Sequence, residues 1–423
     1  MLLNRTSQSF IQMRKELKKI PKDIFVSEGF WGIYQELDLS PDVRLDPFRT
    51  VIDSGILIGH YSYISVLRAD RPDEYFTDRN NLLFNHLEEG NDSFCRLIAG
   101  ELPSIVISRD LEVIRDPLSQ NPSLENLSDS TVFSIINLFT PVARVLPPKE
   151  NALHLDRKIS KGIPLIHIFS SHYQVIEEVP IDEMVLYLKN IILTTKASQE
   201  TLSKTTDHYL TIFHFYNVGS HAGASIPHLH SQTLLYTHGY GHGWKDHSFF
   251  HSFDRNKQLL RKKSYCLGCE LIQGLSVDPF GQHLRFEERI IWEDANWIAF
   301  AAYAPERDAH LRLMPKRHVS ALWDLNSVEI ISLAKALIYA NKVLSRFIDH
   351  FGNELHILPD RNILFRQQHV GFSPIHMLID VIPVQRIGGA ELLDDHRLSH
   401  IFPEETAKRM RDFSEVKMEK DKV

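Results

Sequence analysis

The feature that most constrains this chain is an internal repeat. After residue 264 an order of motifs begins again. The second pass runs "CLGC" (266–269), two strand-like runs in "RIIWEDANWIAFAAY" (289–303), "HLRLMPKRH" (310–318) as a strand ending in His318, a long helical pattern over 326–351, then strand-like "NILFRQQ" (362–368) and "PIHMLIDVIP" (374–383). The first pass runs in parallel: "DSFC" (92–95), strands, "IPLIHIFSSH" (163–172) ending in His172, a helical pattern over 180–196, a strand over 209–217, then "PHLHSQTLL" (227–235). From His172 to His228 is 56 residues, and from His318 to His376 is 58. The chain must therefore fold as two copies of one unit of strands and helix. Its 423 residues agree, being more than one hydrophobic core usually serves.

Local signals fill in the elements. Asn326 is placed to cap the long helix, with Glu329 three residues on as the reciprocal partner. Residues 48–68, rich in β-branched and aromatic side chains with a Gly break, predict a hairpin. Residues 116–130 read as loop, and 1 to about 25 as a charged arm, helical or frayed. The His- and Gly-rich stretch 237–253 also reads as loop; its four histidines lack ligand spacing and are expected on a solvated surface.

Composition removes several classes. A net charge of -7 speaks against a nucleic-acid binder, which needs a basic face. No stretch approaches the roughly 20 apolar residues that span a bilayer, and the basic N-terminus lacks a signal-peptide core. Three cysteines make no disulfide framework and fit a reducing cytoplasm, where a close pair binds metal or does redox work. The 23 histidines direct attention to metal binding and catalysis.

The second copy holds the clearer metal set. Cys266, Cys269, His318 and His376 supply two thiolates and two imidazoles, a tetrahedral zinc donor set. A redox pair is the rival, but "CLGC" is not expected to open a helix after a parallel strand. In the first copy Asp92 stands where a first Cys is expected, with Cys95, His172 and His228 in the other positions. This set either binds a second zinc, since a carboxylate is an acceptable ligand, or has lost the metal and hydrogen-bonds internally.

The copies differ at one further place. His228 aligns with His376, but His230 aligns with Leu378. On an extended strand His228, His230 and Gln232 share a face. His228 is then the anchored histidine and His230 faces a pocket. A neutral, oriented imidazole is a competent nucleophile toward activated phosphorus. Gln232 can donate to a nonbridging phosphate oxygen without adding charge. The preceding "NVGSHAGAS" (217–225) lets backbone amides approach a phosphate closely.

"GASIPHLHSQ" (223–232) resembles the active-site motif of the galactose-1-phosphate uridylyltransferase family, a branch of the histidine triad superfamily. "HSQ" is most similar to the ADP-glucose phosphorylase-like members. "LRADRP" (67–72), the 21 residues from Arg71 to Asp92, "NLFTP" (137–141), "LMPKRHVSALWDL" (313–325) and "IFPEETAKRMR" (401–411) resemble further family segments, so the likeness covers roughly 45–411. It implies an α+β fold of two tandem histidine-triad-like units, each an antiparallel sheet with packed helices. The implied division is an N-terminal arm (1–44), a catalytic first half (45–255), a zinc-bound second half without a nucleophile (256–411) and a charged tail (412–423).

The resemblance also implies a nucleotidyltransferase that works by ping-pong through a nucleotidyl-histidine, on a UDP-hexose or ADP-glucose type donor and a sugar 1-phosphate or phosphate acceptor. It makes His230 the nucleophile and Gln232 the stabiliser of the intermediate. Arg68, Arg71, Asn137, Asn217, Gly219, Ser225 and Glu391 become substrate contacts. A cytoplasmic homodimer, with no nucleic-acid or membrane partner, completes the expectation. Asp92, and the departure of "GGAELLDDHR" (388–397) from the family's sugar-binding sequence, leave the first zinc and the hexose open. Two other classes compete: a histidine-triad hydrolase, which usually carries His at the position of Gln232, and a zinc-stabilised nucleotide-binding protein that has lost catalysis.

Overall fold

The computed structural model describes residues 42–53, 56–64, 92–99, 106–107, 113–115, 132–137, 162–203, 210–237, 249, 252, 265–277, 281–369, 375–394 and 397–418. The expected N-terminal arm, the loop at 116–130, Arg68, Arg71 and nearly all of 237–253 lie outside these residues.

The expected hairpin is present as β1 (Asp42–Asp53) and β2 (Ile56–Ile64), an antiparallel pair separate from the main sheet. The first half continues with α1 (Ser93–Ile98), β3 (Val106–Ile107), β4 (Val113–Arg115), β5 (Val132–Ile136), β6 (Gly162–Phe169), α2 (Ile181–Ser203), β7 (Leu210–Val218) and β8 (His230–Thr237). The second follows with α3 (Leu267–Ile272), β9 (Ile290–Glu293), β10 (Trp297–Ala301), β11 (Leu311–Pro315), α4 (Ser327–Leu355), β12 (Ile357–Arg366) and β13 (Leu378–Gln385). α5 (Gly389–Asp394) and α6 (Pro403–Met418) close the described chain, α6 running on through residue 412.

The other described strands form one antiparallel sheet of eleven, ordered β4-β3-β5-β6-β8-β7-β12-β13-β11-β10-β9. From the centre outward, β7-β8-β6-β5 on one side matches β12-β13-β11-β10 on the other. This is the repeat written in hydrogen bonds. The register agrees with the motif alignment: Gln232 pairs with Ile166 as Asp380 pairs with Arg312. The fold is thus α+β, two like units in tandem, joined where β7 pairs with β12.

α2 and α4 occupy equivalent places and share one core. Tyr187, Leu188 and Ile191 of α2 join Leu333, Leu337 and Leu344 of α4 against Tyr216, Ile363 and Val381 of the sheet. The apolar spacing of α4 faces this core, and its start is fixed as expected. Asn326 accepts from the Val328 and Glu329 amides, and the Glu329 carboxylate accepts from the Asn326 amide. α2 also sets the face that β8 presents. The Tyr187 hydroxyl accepts from the Ser231 amide at 2.8 Å and donates to the His167 carbonyl at 2.7 Å. With Ser231 held on the helix side, its neighbours His230 and Gln232 face the other way. Among the described residues no helix is long and apolar enough to cross a membrane.

Two expectations need correction. "CLGC" does open a helix: Cys266 is the N-cap of α3, although the strand pairings among the described residues are all antiparallel. The strands before His172 and His318 stop at Phe169 and Pro315, so each histidine lies three residues beyond its strand, in the following turn.

Candidate functional site

Two groups of four side chains converge, one per half. The ligand atoms within each lie inside 4.8 Å of one another: Cys266, Cys269, His318 and His376 in one, Asp92, Cys95, His172 and His228 in the other.

In the second-half group, Cys266 Sγ is 3.4 Å from His376 Nδ1, and Cys269 Sγ is 3.4 Å from His318 Nδ1. The His376 ring is fully buried and its Nε2 donates to the Pro315 carbonyl at 2.7 Å, which turns Nδ1 into the group. A carbonyl behind the far nitrogen is the usual outer support of a metal-bound imidazole. Burial opposes ionisation of Cys266, but the two imidazoles outweigh it and bring the thiol down to about 5. Burial and the neighbouring Cys266 push Cys269 up to about 12.

The first-half group repeats this plan with one change. His228 is fully buried, donates through Nε2 to the Phe169 carbonyl at 2.9 Å, and turns Nδ1 toward the group. Asp92 replaces a cysteine and divides its two oxygens. Oδ1 accepts from the Phe94 and Cys95 amides at 2.8 and 2.9 Å, capping α1. Oδ2 faces His172 Nε2 at 3.0 Å and accepts from Cys95 Sγ at 3.1 Å. Burial opposes its charge, yet His172 and His228 hold the carboxyl far below the usual range. Cys266 at the same position makes no side-chain cap bond. A carboxylate caps and faces the group at once; a thiolate has a single donor atom.

Beside this group stands His230, the first residue of β8 and 5% exposed. Its Nδ1 lies 2.8 Å from the His228 carbonyl. A carbonyl only accepts, so Nδ1 carries a proton, and in the neutral form of the ring the lone pair is on Nε2. The Phe94 ring stands edge-on to both imidazoles, 5.1 Å from His230 and 5.9 Å from His228. Gln232 is on the same face, with the Asn137 amide nitrogen 3.5 Å from its Oε1. Asn217 and Ser225 bracket the Gly-rich turn, in which Gly219 has φ +87°. The structure therefore groups Asn137, His230 and Gln232, and places Asn217, Gly219 and Ser225 on the turn leading into them. Glu391 lies elsewhere, on α5; its described partners are Arg307 at 2.7 Å and the Gly388 amide at 2.9 Å.

The equivalent place in the second half is filled differently. Leu378 stands for His230, Asp380 for Gln232 and Arg366 for Asn217. Asp380 is buried and accepts from Arg312 Nε at 2.8 Å, Arg366 Nε at 3.1 Å and His310 Nε2 at 3.0 Å. Burial holds His310 neutral against Asp380, so its Nε2–H donates while Nδ1 accepts from the Glu306 amide. Three residues of the first half's surroundings escaped sequence reasoning: Phe94, Asp360 and Asn362. For Phe94 a signal existed, since it occupies the place of Gly268 in the repeat. Asp360 and Asn362 carried none.

The chain has the fold of a solved uridylyltransferase and of a solved ADP-glucose phosphorylase. It is similar to a galactose-1-phosphate uridylyltransferase of Hypocrea jecorina, 23% identical over 194 residues, which is 45% of each protein. The chain thus matches under half the length of that curated relative. A solved ADP-glucose phosphorylase of Arabidopsis thaliana with bound ADP-glucose superposes with a TM-score of 0.53 at 19% identity, over 88% of this chain and 99% of that one. A solved uridylyltransferase mutant gives 0.53 at 21% identity, over 66% and 87%. No family model matches the chain.

Proposed function

We propose that the protein is a nucleotidyltransferase that moves a nucleotidyl group from a nucleotide sugar to a phosphate or sugar 1-phosphate through His230. The observation that carries this is the fixed orientation of the His230 imidazole, its Nδ1 2.8 Å from the His228 carbonyl. With Nδ1–H held by the His228 carbonyl, the Nε2 lone pair is oriented for attack. Attack on the α-phosphorus forms a P–Nε2 bond, breaks the bond to the bridging oxygen and releases the sugar 1-phosphate. The ring becomes positively charged, and the His228 carbonyl stabilises its Nδ1–H. An acceptor phosphate oxygen then attacks the same phosphorus and frees Nε2. Gln232 and Asn217 donate to nonbridging oxygens, and an amide at 232 cannot protonate a leaving group as a histidine there would.

Zinc fits the second-half group. Bonds to sulfur of about 2.3 Å imply sulfur–sulfur edges near 3.7 Å in a tetrahedron, compatible with donor atoms inside 4.8 Å. Cys266, Cys269, His318 and His376 would hold it, and the metal would brace the loop around α3. Asp92, Cys95, His172 and His228 form a second candidate, which would brace the turn carrying His228. Neither ion enters the chemical steps. A homodimer is part of the same proposal.

The test is a labelling experiment. The protein is incubated with α-phosphate-labelled UDP-glucose and, separately, ADP-glucose, without acceptor. Acid-labile label on the wild type, absent from His230→Ala, is expected. Steady release of free nucleotide would indicate hydrolysis instead, and no label with either donor would overturn the assignment.

A further inference from the structure

β12 belongs to the half without a nucleophile, yet it pairs with β7 beside the Gly-rich turn. Asn362 stands directly opposite Asn217, and Arg361 opposite Val218. Side chains alternate along the strand. Arg361 is buried on the helix side, where it donates to Ser345 of α4 at 2.8 Å and pairs with Glu177. Asp360 and Asn362 therefore point toward the turn.

Asn362 has a decisive neighbour. Its Nδ2 donates to the Ala222 carbonyl at 2.9 Å and to Asn217 Oδ1 at 2.9 Å. A backbone carbonyl cannot donate, so the nitrogen end of Asn362 must face the turn. The oxygen end of Asn217 must then face Asn362, and the nitrogen end of Asn217 is turned toward Gly223. Its Nδ2 lies 3.5 Å from where a Cβ on Gly223 would stand. Asp360 holds the opposite side of the turn: its Oδ2 accepts from the His221 amide at 2.6 Å and faces His221 Nδ1 at 2.8 Å. It packs so closely that a Cβ on Gly219 would sit 2.3 Å from the Asp360 carboxyl.

We infer that Asn362 and Asp360 are positioning residues for the first half's reaction. Asn362 fixes which end of the Asn217 amide meets the phosphate, and Asp360 fixes the shape of the turn. The second half thus sets a donor for a reaction it cannot itself perform. This rests on the nucleotidyl-transfer assignment. It requires an acceptor at the turn, and a nonbridging phosphate oxygen is the acceptor the proposed reaction supplies.

The experiment is single-turnover labelling of His230, with donor concentration varied to separate saturation from rate, and with thermal unfolding recorded for each variant. Asn362→Asp keeps the shape but removes the donor; the Asn217 amide must flip and present oxygen to the phosphate. Labelling is expected to slow by roughly a hundredfold or more, the scale of one lost oxyanion donor. Asn362→Ala is expected to slow labelling in wild-type background but to add less than about twofold on Asn217→Ala, because it acts through that residue. Asp360→Asn retains an acceptor for the His221 amide and is expected to label faster than Asp360→Ala. Independent, multiplying effects of Asn362→Ala and Asn217→Ala, or wild-type labelling by Asn362→Asp, would overturn the inference. Absence of label on the wild type would overturn the parent assignment, and this one with it.

Discussion

Gly268→Ala is the sharpest structural prediction for the second-half group. An ideal Cβ at 268 would lie 2.6 Å from His376 Nδ1, 2.8 Å from its Cγ and 3.1 Å from Met314 sulfur. Ordinary contact needs about 3.5 Å, so the imidazole must retreat by roughly 0.9 Å. It has little room: the ring is fully buried and its Nε2 is tied to the Pro315 carbonyl. Metal–ligand distances tolerate only about 0.2 Å, so a shift of this size takes His376 out of a tetrahedral set. Overpacking alone costs about 1–3 kcal/mol, and loss of metal adds to it. The assay is zinc content per chain by atomic emission, with thermal unfolding before and after chelation. Gly268→Ala should retain less second-half zinc and unfold at lower temperature, and chelator should move its transition less than that of the wild type. Wild-type zinc affinity together with an unchanged transition would refute the argument, because the ring would then have moved without cost.

Two further predictions concern buried carboxylates. Burial opposes the charge of Asp380, but Arg312, His310 and Arg366 outweigh it and hold the group well below the usual range. A depressed carboxylate contributes stability above its unfolded value, near 3.8, and loses it as pH falls through the folded value. Asp380→Asn should therefore destabilise by about 3–5 kcal/mol at neutral pH, with a gap that narrows below about pH 4; a pH-independent gap in denaturant titrations would sink this. Asp92→Cys restores a Cys-x-x-Cys but removes the cap on the Phe94 and Cys95 amides. The metal-free protein should lose about 1 kcal/mol while zinc retention at the first group rises; an unchanged metal-free unfolding midpoint would show that the cap is idle.

Much of the fold was legible because the sequence repeats at the level of motifs. The long helix declared itself through apolar spacing and the Asn326–Glu329 box, and is observed over Ser327–Leu355. The helix at 180–196 runs on to Ser203, since no glycine or proline stops it earlier. α3 was not legible, because six residues with a glycine inside them make too short a helix for periodicity to register. Both groups of candidate ligands converge, each with its four donor atoms inside 4.8 Å of one another. Arg68 and Arg71 lie outside the described residues, and Glu391 is engaged with Arg307. The union of the halves through β7 and β12 left no local mark, since strand pairing across 140 residues shows only in the register. Asp360 and Asn362 were invisible for the same reason.

The second half differs from the first at more than position 378. Had the second half merely lost its histidine, an apolar residue at 378 would have sufficed. Instead the positions of Gln232 and Asn217 became Asp380 and Arg366, bound to each other and to Arg312 and His310. A buried carboxylate there would repel a phosphate, and the Nε groups of Arg312 and Arg366 are both spent on Asp380. That face therefore favours a closed ion-pair cluster over a second anion. Asn362 of β12 reaches across to the neighbouring half's turn, donating to Asn217 Oδ1 and to the Ala222 carbonyl. Where Phe94 stands against His230, the equivalent Gly268 makes room for His376 to come close. The second half thus closes its own equivalent face with ion pairs and reaches the first half's turn through Asp360 and Asn362 of β12.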